Sequence, residues 1–353
     1  MMPSKLTEYK KAMIKPQIRF AVTGLNHGHI YGQTQSMLDA GATGVCFYAP
    51  EQDLAAQFSS SFHQIPRVNT LDEILEDKSI QLVLNAGIPA ERAAMGIQVM
   101  RHGKDYMVDK PGLITLEQLE EVRQAQAETG QIYSVCYSER FWSRAATKAT
   151  ELIRAGKIGD VIQTLSLGPH QRRLPTRPDW FFIKERYGGI LTDIGSHNFD
   201  QFLHFTGSTS AEIVSSQIAN FHHPEHPELE DFGDVIVRGN GGVGYIRVDW
   251  FTPDGLGVWG DGRLFITGTD GYIELRKYID LAGRPGGEHL FLVNQQGTEY
   301  IDCQDVPLPY ASQLSEDIIN RTETAMTQAH AFLAMELAIK AENQADRLGN
   351  LKP

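Results

Sequence analysis

Apolar and polar positions follow two rhythms along the chain. Between residues 18 and 137, short apolar runs recur at 18–23, 44–48, 80–86, 105–111 and 131–137. The stretches between them, 29–39, 51–62, 71–77, 90–103 and 115–130, space their apolar positions as helices do. Gly103 supplies a stop for the fourth of these helices. Strands separated by helices of this length predict βαβ units and a mostly parallel sheet. Ligands on such sheets bind beyond the carboxyl ends of the strands. That singles out residues 24–29, 48–51, 85–89 and 109–111.

After about residue 137 the rhythm changes. A helix over 143–159 leads into a strand over 160–168, an Arg- and Pro-rich loop, and a helix over 188–207. From Ala211 to about Ile301, strand-like runs are separated by short Gly/Asn turns, which predicts antiparallel pairing. The expectation is an α/β domain over 18–137, then an α+β domain over 138–320 with a large open, mainly antiparallel sheet. The last segment, 321–353, carries a helix with one strongly apolar face, expected to pack back on the first domain.

Length and composition fit this picture. A chain of 353 residues suggests two domains. A net charge of -12 argues against nucleic acid and against an anionic membrane surface. No apolar run approaches the roughly 18 residues of a membrane span. Residues 1–17 have no apolar signal-like core and read as an N-terminal extension. The three cysteines are far apart and form no C-x-x-C, so a reducing, cytoplasmic compartment is expected.

Three stretches could carry chemistry. The first is "GLNHGHIYG" from Gly24, where a dinucleotide-binding turn would read G-x-G-x-x-G. Gly24 keeps the tight turn, Asn26 and His29 replace the later glycines, and Gly28 can supply the close approach one step late. His27 and His29 could touch phosphate or substrate; the alternative is a structural turn with solvated histidines. The second is "VDKP", which places Lys110 at a strand end facing the crevice. Burial lowers a lysine pKa from about 10.4, so such a residue can hydrogen-bond to, or exchange a proton with, a hydroxyl. The third is "GGILTDIGSHNFDQFLHFTG", where Asp193 and His197 stand four residues apart on one helix face and Asp200 and His204 continue the stripe. A buried Asp–His pair can act as an oriented general base. No second cluster at zinc-type spacing accompanies it, and the His/Glu-rich loop 221–231 reads as solvated, so no metal is expected. Trp180, in the Arg/Pro loop 170–182, could wall a sugar ring or a nicotinamide.

A strand and Gly turn near the start, a Lys-Pro after a later strand, and G-G-x-L-x-D-x-G-x-H opening the second domain occur in one order. Together they resemble the Gfo/Idh/MocA family of nicotinamide-dependent oxidoreductases. "GDGRLFITGTDGYIEL", residues 260–275, resembles the family's recurring strand–turn–strand. The resemblance spans about Ile18 to the last helix. It implies a Rossmann-type dinucleotide-binding domain and a second domain for substrate and oligomerisation. Lys110 matches the lysine of the family's E-K-P motif, usually with a cis bond before the proline; here Asp109 precedes it. Lys110, Asp193 and His197 would be catalytic, with His197 as general base, Lys110 holding the hydroxyl and Asp193 orienting substrate and tuning the base. Trp180 would join these three in binding substrate. Cofactor contacts would come from Gly24, Asn26, His27, Gly28, His29, Ala49, Ala86, Gly87, Pro89, Asp109 and Lys110. Ala49 stands where the family usually has an acidic residue, and Ala86-Gly87-Ile88 where it has T-P-N. Glu51 lies near Ala49 and no Arg follows, which favours NAD over NADP. The implied reaction is hydride transfer to or from a secondary hydroxyl of a sugar, cyclitol or related polyol. The implied assembly is a homodimer or homotetramer through the open sheet. Two alternatives stay open: an enzyme that recycles bound NAD through transient oxidation, for elimination or epimerisation, and a redox-sensing pseudoenzyme.

Overall fold

A computed structural model describes residues 18–349; the expected 1–17 extension lies outside them. Five strands form the first sheet: β1 (Arg19–Thr23), β2 (Thr43–Tyr48), β3 (Leu82–Asn85), β4 (Asp105–Asp109) and β5 (Tyr133–Cys136). Their order is β2-β1-β3-β4-β5 and every pairing is parallel. β3, β4 and β5 are buried at every position, which is why they read as continuous apolar runs rather than alternating ones.

The second sheet has nine strands. These are β6 (Val161–Pro169), β7 (Ala211–Ala219), β8 (Phe232–Gly239), β9 (Gly242–Asp249), β10 (Arg263–Gly268), β11 (Gly271–Arg276), β12 (His289–Asn294), β13 (Gly297–Asp302) and β14 (Asp346–Arg347). Their order is β13-β12-β11-β10-β6-β9-β8-β7-β14. Pairing is antiparallel except between β6 and β9 and between β7 and β14. The sheet is therefore mixed but mostly antiparallel.

Three details depart from the sequence reading. The 188–207 helix is two pieces, Ile190–Asp193 and Gly195–Thr206. A helix over Tyr310–Asn320 was not anticipated, because its apolar positions are interspersed with Ser, Gln, Glu and Asp. The last helix, Gln328–Asn343, does not pack on the first domain alone. It meets β5 and the Leu116–Thr129 helix on one side, and the two helix pieces and β7 on the other. Ala331, Ala334, Leu337, Ala338 and Ala341 are all nearly inaccessible. A helix apolar all round is one that is enclosed. It joins the two domains and sets the cleft between them.

Candidate active site

The order β2-β1-β3 puts the switch point of the first sheet between β1 and β3, where a crevice opens beyond the strand ends. Gly24 follows β1 with φ 64°. A Cβ there would lie 2.5 Å from Asn85 Nδ2 and 2.7 Å from the Gly87 nitrogen, so no side chain fits. The loops after β1 and β3 are stitched together. The Ala86 N–H donates to the Gly24 carbonyl at 2.9 Å, and the His27 N–H to the Ala86 carbonyl at 2.9 Å. Gly28 differs: its φ is -62° and a Cβ would meet nothing within 4 Å. The chain leaves this notch open at the amino end of the His29–Asp39 helix, whose first N–H groups lack helical acceptors. The notch fits the close passage of a dinucleotide pyrophosphate.

Asn26 is engaged elsewhere, donating from Nδ2 to Glu51 Oε1 at 3.0 Å. It ties the loop to the end of β2. Ala49 is buried, and its carbonyl accepts from Arg67 Nη2 at 2.6 Å. Arg67 Nη1 also donates to Gln52 Oε1 at 2.7 Å. An isolated bridge to Phe47 brings Arg67 here from eighteen residues beyond Ala49. An arginine does therefore stand at this strand end, contrary to the sequence reading.

Asp109, the residue before Lys110, is fully buried. His29 Nδ1 lies 2.8 Å from its Oδ1, His27 Nδ1 2.7 Å from its Oδ2, and Arg92 Nη2 3.2 Å from Oδ2. The His27 contact is close but off the line of a hydrogen bond. Burial alone would push the Asp109 carboxyl up; His29, His27 and Arg92 outweigh it and hold it well below the usual range. The two loop histidines are thus oriented by the strand-end carboxylate. Ligand atoms of His27, His29 and Asp109 converge within 4.8 Å, as a metal site would need. Arg92 already supplies this carboxylate with a positive charge, which opposes a divalent cation there.

Arg92 was not singled out from sequence, yet it fixes the whole strand end. Only 1% exposed, it donates from Nε to the Gly87 carbonyl at 2.8 Å. Its Nη1 donates to the carbonyls of Asp109, Lys110 and Pro111 at 3.1, 2.6 and 2.9 Å. The Lys110–Pro111 peptide is cis. Lys110, 7% exposed, donates from Nζ to Asp193 Oδ1 at 2.6 Å. Burial raises the Asp193 carboxyl; the Lys110 charge and hydrogen bond, with His27 and Arg177, together outweigh it and leave it lowered.

His197 lines the same cleft but does not pair with Asp193, contrary to the Asp–His reading. Ile194 between them keeps helical dihedrals, and Asp193 takes the nearer Lys110 ammonium instead. Neither His197 ring nitrogen has a hydrogen-bond partner among the described residues, and Nδ1 is sealed from solvent. Burial, followed by the charges of Lys110 and His29, holds its pKa well below 6.5, so the ring is neutral near pH 7. The rest of the stripe faces elsewhere. Asp200 accepts from Arg140 Nε and Nη2 at 2.7 and 2.6 Å and lies 2.8 Å from His330 Nε2. His204 Nε2 lies 2.8 Å from the Thr150 hydroxyl. Both belong to a region around a separate cavity.

Comparison with known proteins adds to this geometry. Residues 18–137 match the oxidoreductase family with an NAD-binding Rossmann fold, and residues 146–274 match the GFO/IDH/MocA C-terminal domain. The chain belongs to the Gfo/Idh/MocA family. It is an NAD(P)-dependent oxidoreductase of that family. Scyllo-inositol 2-dehydrogenase (NAD(+)) of Bacillus subtilis (strain 168) is 26% identical to it over 93% of this chain and 94% of its own. A crystal structure from Erwinia carotovora atroseptica SCRI1043 matches with TM-score 0.92 and 46% identity, over 94% of this chain and 100% of that one. Levoglucosan dehydrogenase, in complex with NADH and levoglucosan, shares the fold with TM-score 0.78 at 17% identity, over 93% and 97%.

In this member of the Gfo/Idh/MocA family the cleft encloses about 380 Å³. His27, Gly28, His29, Pro89, Lys110, Asp193 and His197 line it on the loop and helix side. His170, Trp180, Trp250 and Trp259 form further walls. Trp250 and Trp259 escaped the sequence reading, since β9 and the loop after it bring them from more than fifty residues beyond His197. Asn26, Ala49, Ala86 and Gly87 lie outside this lining, in or beside the β1 and β3 loops. The His/Glu-rich loop 221–231 is exposed at His222, Pro224, Glu225, Pro227 and Glu228, as its solvated reading expects, but its end is a buried brace. Its Glu230 is buried, accepting from Lys184 Nζ at 2.6 Å and from the Ile190 N–H at 2.9 Å.

Buried neutral histidines make this site acid-sensitive. Burial lowers both His27 and His170 to about 4. The unfolded chain, near 6.5, takes up protons first as pH falls. Stability is complete above about 6.5 and is lost as pH drops towards 4, by on the order of 3 kcal/mol for the buried His170 ring and by less for His27, whose side chain is 25% exposed. Glu342, which burial and Glu230 push up to about 8, works in the opposite direction. His170→Gln isolates one term. It should flatten the slope of unfolding free energy between about pH 6.5 and 4 by about 1.4 kcal/mol per pH unit. An unchanged slope in urea titrations would mean that His170 is charged in the folded protein.

Proposed function

We propose that the protein transfers a hydride between nicotinamide and a secondary hydroxyl of a sugar, cyclitol or related polyol. One observation carries the reading: His197 is neutral and without a hydrogen-bond partner among the described residues, in the same cleft as the Lys110–Asp193 pair. A bound nicotinamide cofactor would supply the hydride chemistry. His197 takes the hydroxyl proton during oxidation and returns it during reduction. Lys110 donates a hydrogen bond to the same oxygen and stabilises negative charge developing there. Asp193 accepts from the Lys110 ammonium and keeps it aimed. The likeness to scyllo-inositol 2-dehydrogenase supports the polyol class. A screen of cyclitols, aldoses and glycosides for cofactor reduction tests the reading; cofactor binding with no reduction by any of them would favour the redox sensor instead.

NAD is the proposed cofactor. Glu51 places a carboxylate at the end of β2, where it would repel a 2′-phosphate. Arg67 spends two donors on Ala49 and Gln52. Glu51→Gln should improve kcat/KM for NADP relative to NAD by roughly tenfold, about 1.4 kcal/mol; an unchanged ratio would place discrimination elsewhere. A cytoplasmic setting is also proposed, because Cys46, Cys136 and Cys303 are all buried free thiols. No helix among the described residues is long and apolar enough to cross a membrane.

We also propose a homodimer or homotetramer through the second sheet. Strand register aligns Ile236, Tyr245, Leu165, Phe265, Glu274, Phe291 and Tyr300 in one row across six strands and their neighbour β13. Ile236 and Tyr300 are 46% and 37% exposed. Such a row needs cover, which a second copy supplies. A monomeric mass by light scattering would overturn this.

A further inference from the structure

The cleft holds more positive charge than its ion pairs use. Lys110 is paired with Asp193, and Arg92 with Asp109. Glu139, the other carboxylate lining the cleft, accepts from Lys277 Nζ at 3.0 Å and from the Tyr278 hydroxyl at 2.5 Å. Arg173 and Arg177 remain, and no carboxylate among the described residues lies within ion-pair reach of either. The chain carries -12 overall, so a site left cationic is a local arrangement.

Arg177 is built in. Its guanidinium lies 4.3 Å from the Phe181 ring centroid, 4.8 Å from Trp250 and 5.6 Å from Trp259. Its Nε donates to the Arg172 carbonyl at 2.9 Å. Among the described residues its Nη2, shut off from solvent, has no partner, and its Nη1 makes no hydrogen bond. Aromatic faces fix the plane of the cation but accept none of its N–H groups in plane. Arg173 flanks the other side of this wall, 5.0 Å from the Trp259 ring. Its backbone is left-handed, φ 50°, a costly conformation for a side chain with a Cβ. The loop that carries both arginines is anchored, with the Gln171 N–H donating to the Trp259 carbonyl at 2.9 Å. A fixed guanidinium whose Nη1 donor is unused, in a cleft wall, matches one oxygen of a compact anionic group such as a carboxylate.

We propose that the substrate is a sugar acid or polyol acid whose carboxylate is held by Arg177, with Arg173 adding charge at the rim. This rests on the hydride-transfer reading above and names its substrate class. The carbinol then lies at Lys110 and His197 while the carboxylate reaches the arginine wall, so the charge selects the substrate and sets which hydroxyl is presented. Burial lowers the Arg177 pKa to about 10, and an anion beside it would reverse that shift.

The test uses matched pairs: D-glucuronate with D-glucose, D-galacturonate with D-galactose, and D-gluconate with D-glucitol, plus D-glucose 6-phosphate. Binding is followed by quenching of tryptophan fluorescence in the cofactor complex, and turnover by cofactor reduction. At least one acid should bind over tenfold more tightly than its neutral partner, and more tightly than the phosphate. Arg177→Met and Arg177→Lys should each collapse that preference at least tenfold, with melting temperature and cofactor affinity checked to exclude unfolding. Arg173→Gln, at an exposed position, should reduce it by less. Neutral sugars bound or oxidised as well as the acids would overturn the proposal and leave hydride transfer standing. So would a preference that survives both Arg177 variants, or tighter binding of the phosphate. Acid-selective binding without any cofactor reduction would support the carboxylate subsite and count against the hydride-transfer reading.

Discussion

Lys110→Met should lower kcat/KM by about a thousandfold while cofactor affinity stays within a factor of a few. The variant removes the donor that holds the reacting oxygen and also changes its neighbour. Asp193 is held below its ordinary range in the native site because the Lys110 charge and hydrogen bond, with His27 and Arg177, together outweigh its burial. Without Lys110, burial acts with less opposition and moves the carboxyl up. Loss should therefore exceed that of a single hydrogen bond and should deepen as pH falls. Steady-state rates across pH 6–9 and cofactor titrations check this. A variant with near-native turnover would remove Lys110 from the chemistry.

Arg92→Met should cost stability more than any surface change, on the order of 4 kcal/mol or more. It would strand four carbonyls, those of Gly87, Asp109, Lys110 and Pro111, and deprive the buried Asp109 of its guanidinium. Each buried acceptor left without a donor costs about 1–3 kcal/mol. A fall in melting temperature of at least about 5 °C is expected. Arg92→Lys should recover little, since one ammonium cannot serve acceptors spread around a planar fork. A melting temperature within about 2 °C of the parent would show that water or a rearranged loop satisfies those groups.

The two positions also show what the sequence could and could not convey. Lys110 was legible because it ends an apolar run and precedes a proline, both local features. Arg92 was not: inside 90–103 it reads as one more charged residue on an amphipathic helix, and its partners come from loops after β3 and β4. Strand and helix order in the first domain was legible because each element has its own period. The Tyr310–Asn320 helix was not, as Ser, Gln, Glu and Asp interrupt its apolar face. The spacing of Asp193 and His197 put them on one helix face and both line the cleft, but their pairing was not legible, since the Lys110 ammonium that takes Asp193 comes from a distant strand end. His27 and His29 were an open question between phosphate and substrate. The structure ties both to Asp109 on the cleft wall, leaving Gly28 as the notch for the backbone approach. Arg177 looked like any cation in a Pro-rich loop until three aromatic rings from separate segments closed around it.

Deuterium transfer tests the central claim most directly. Enzyme charged with NAD is mixed with cyclitols, sugars and sugar acids deuterated at the carbinol carbons, and the cofactor is analysed by mass spectrometry after a single turnover. The predicted result is reduced cofactor carrying one deuterium, formed more slowly than with the protonated substrate. Bound cofactor that is never reduced by any of these alcohols would contradict hydride transfer at Lys110 and His197.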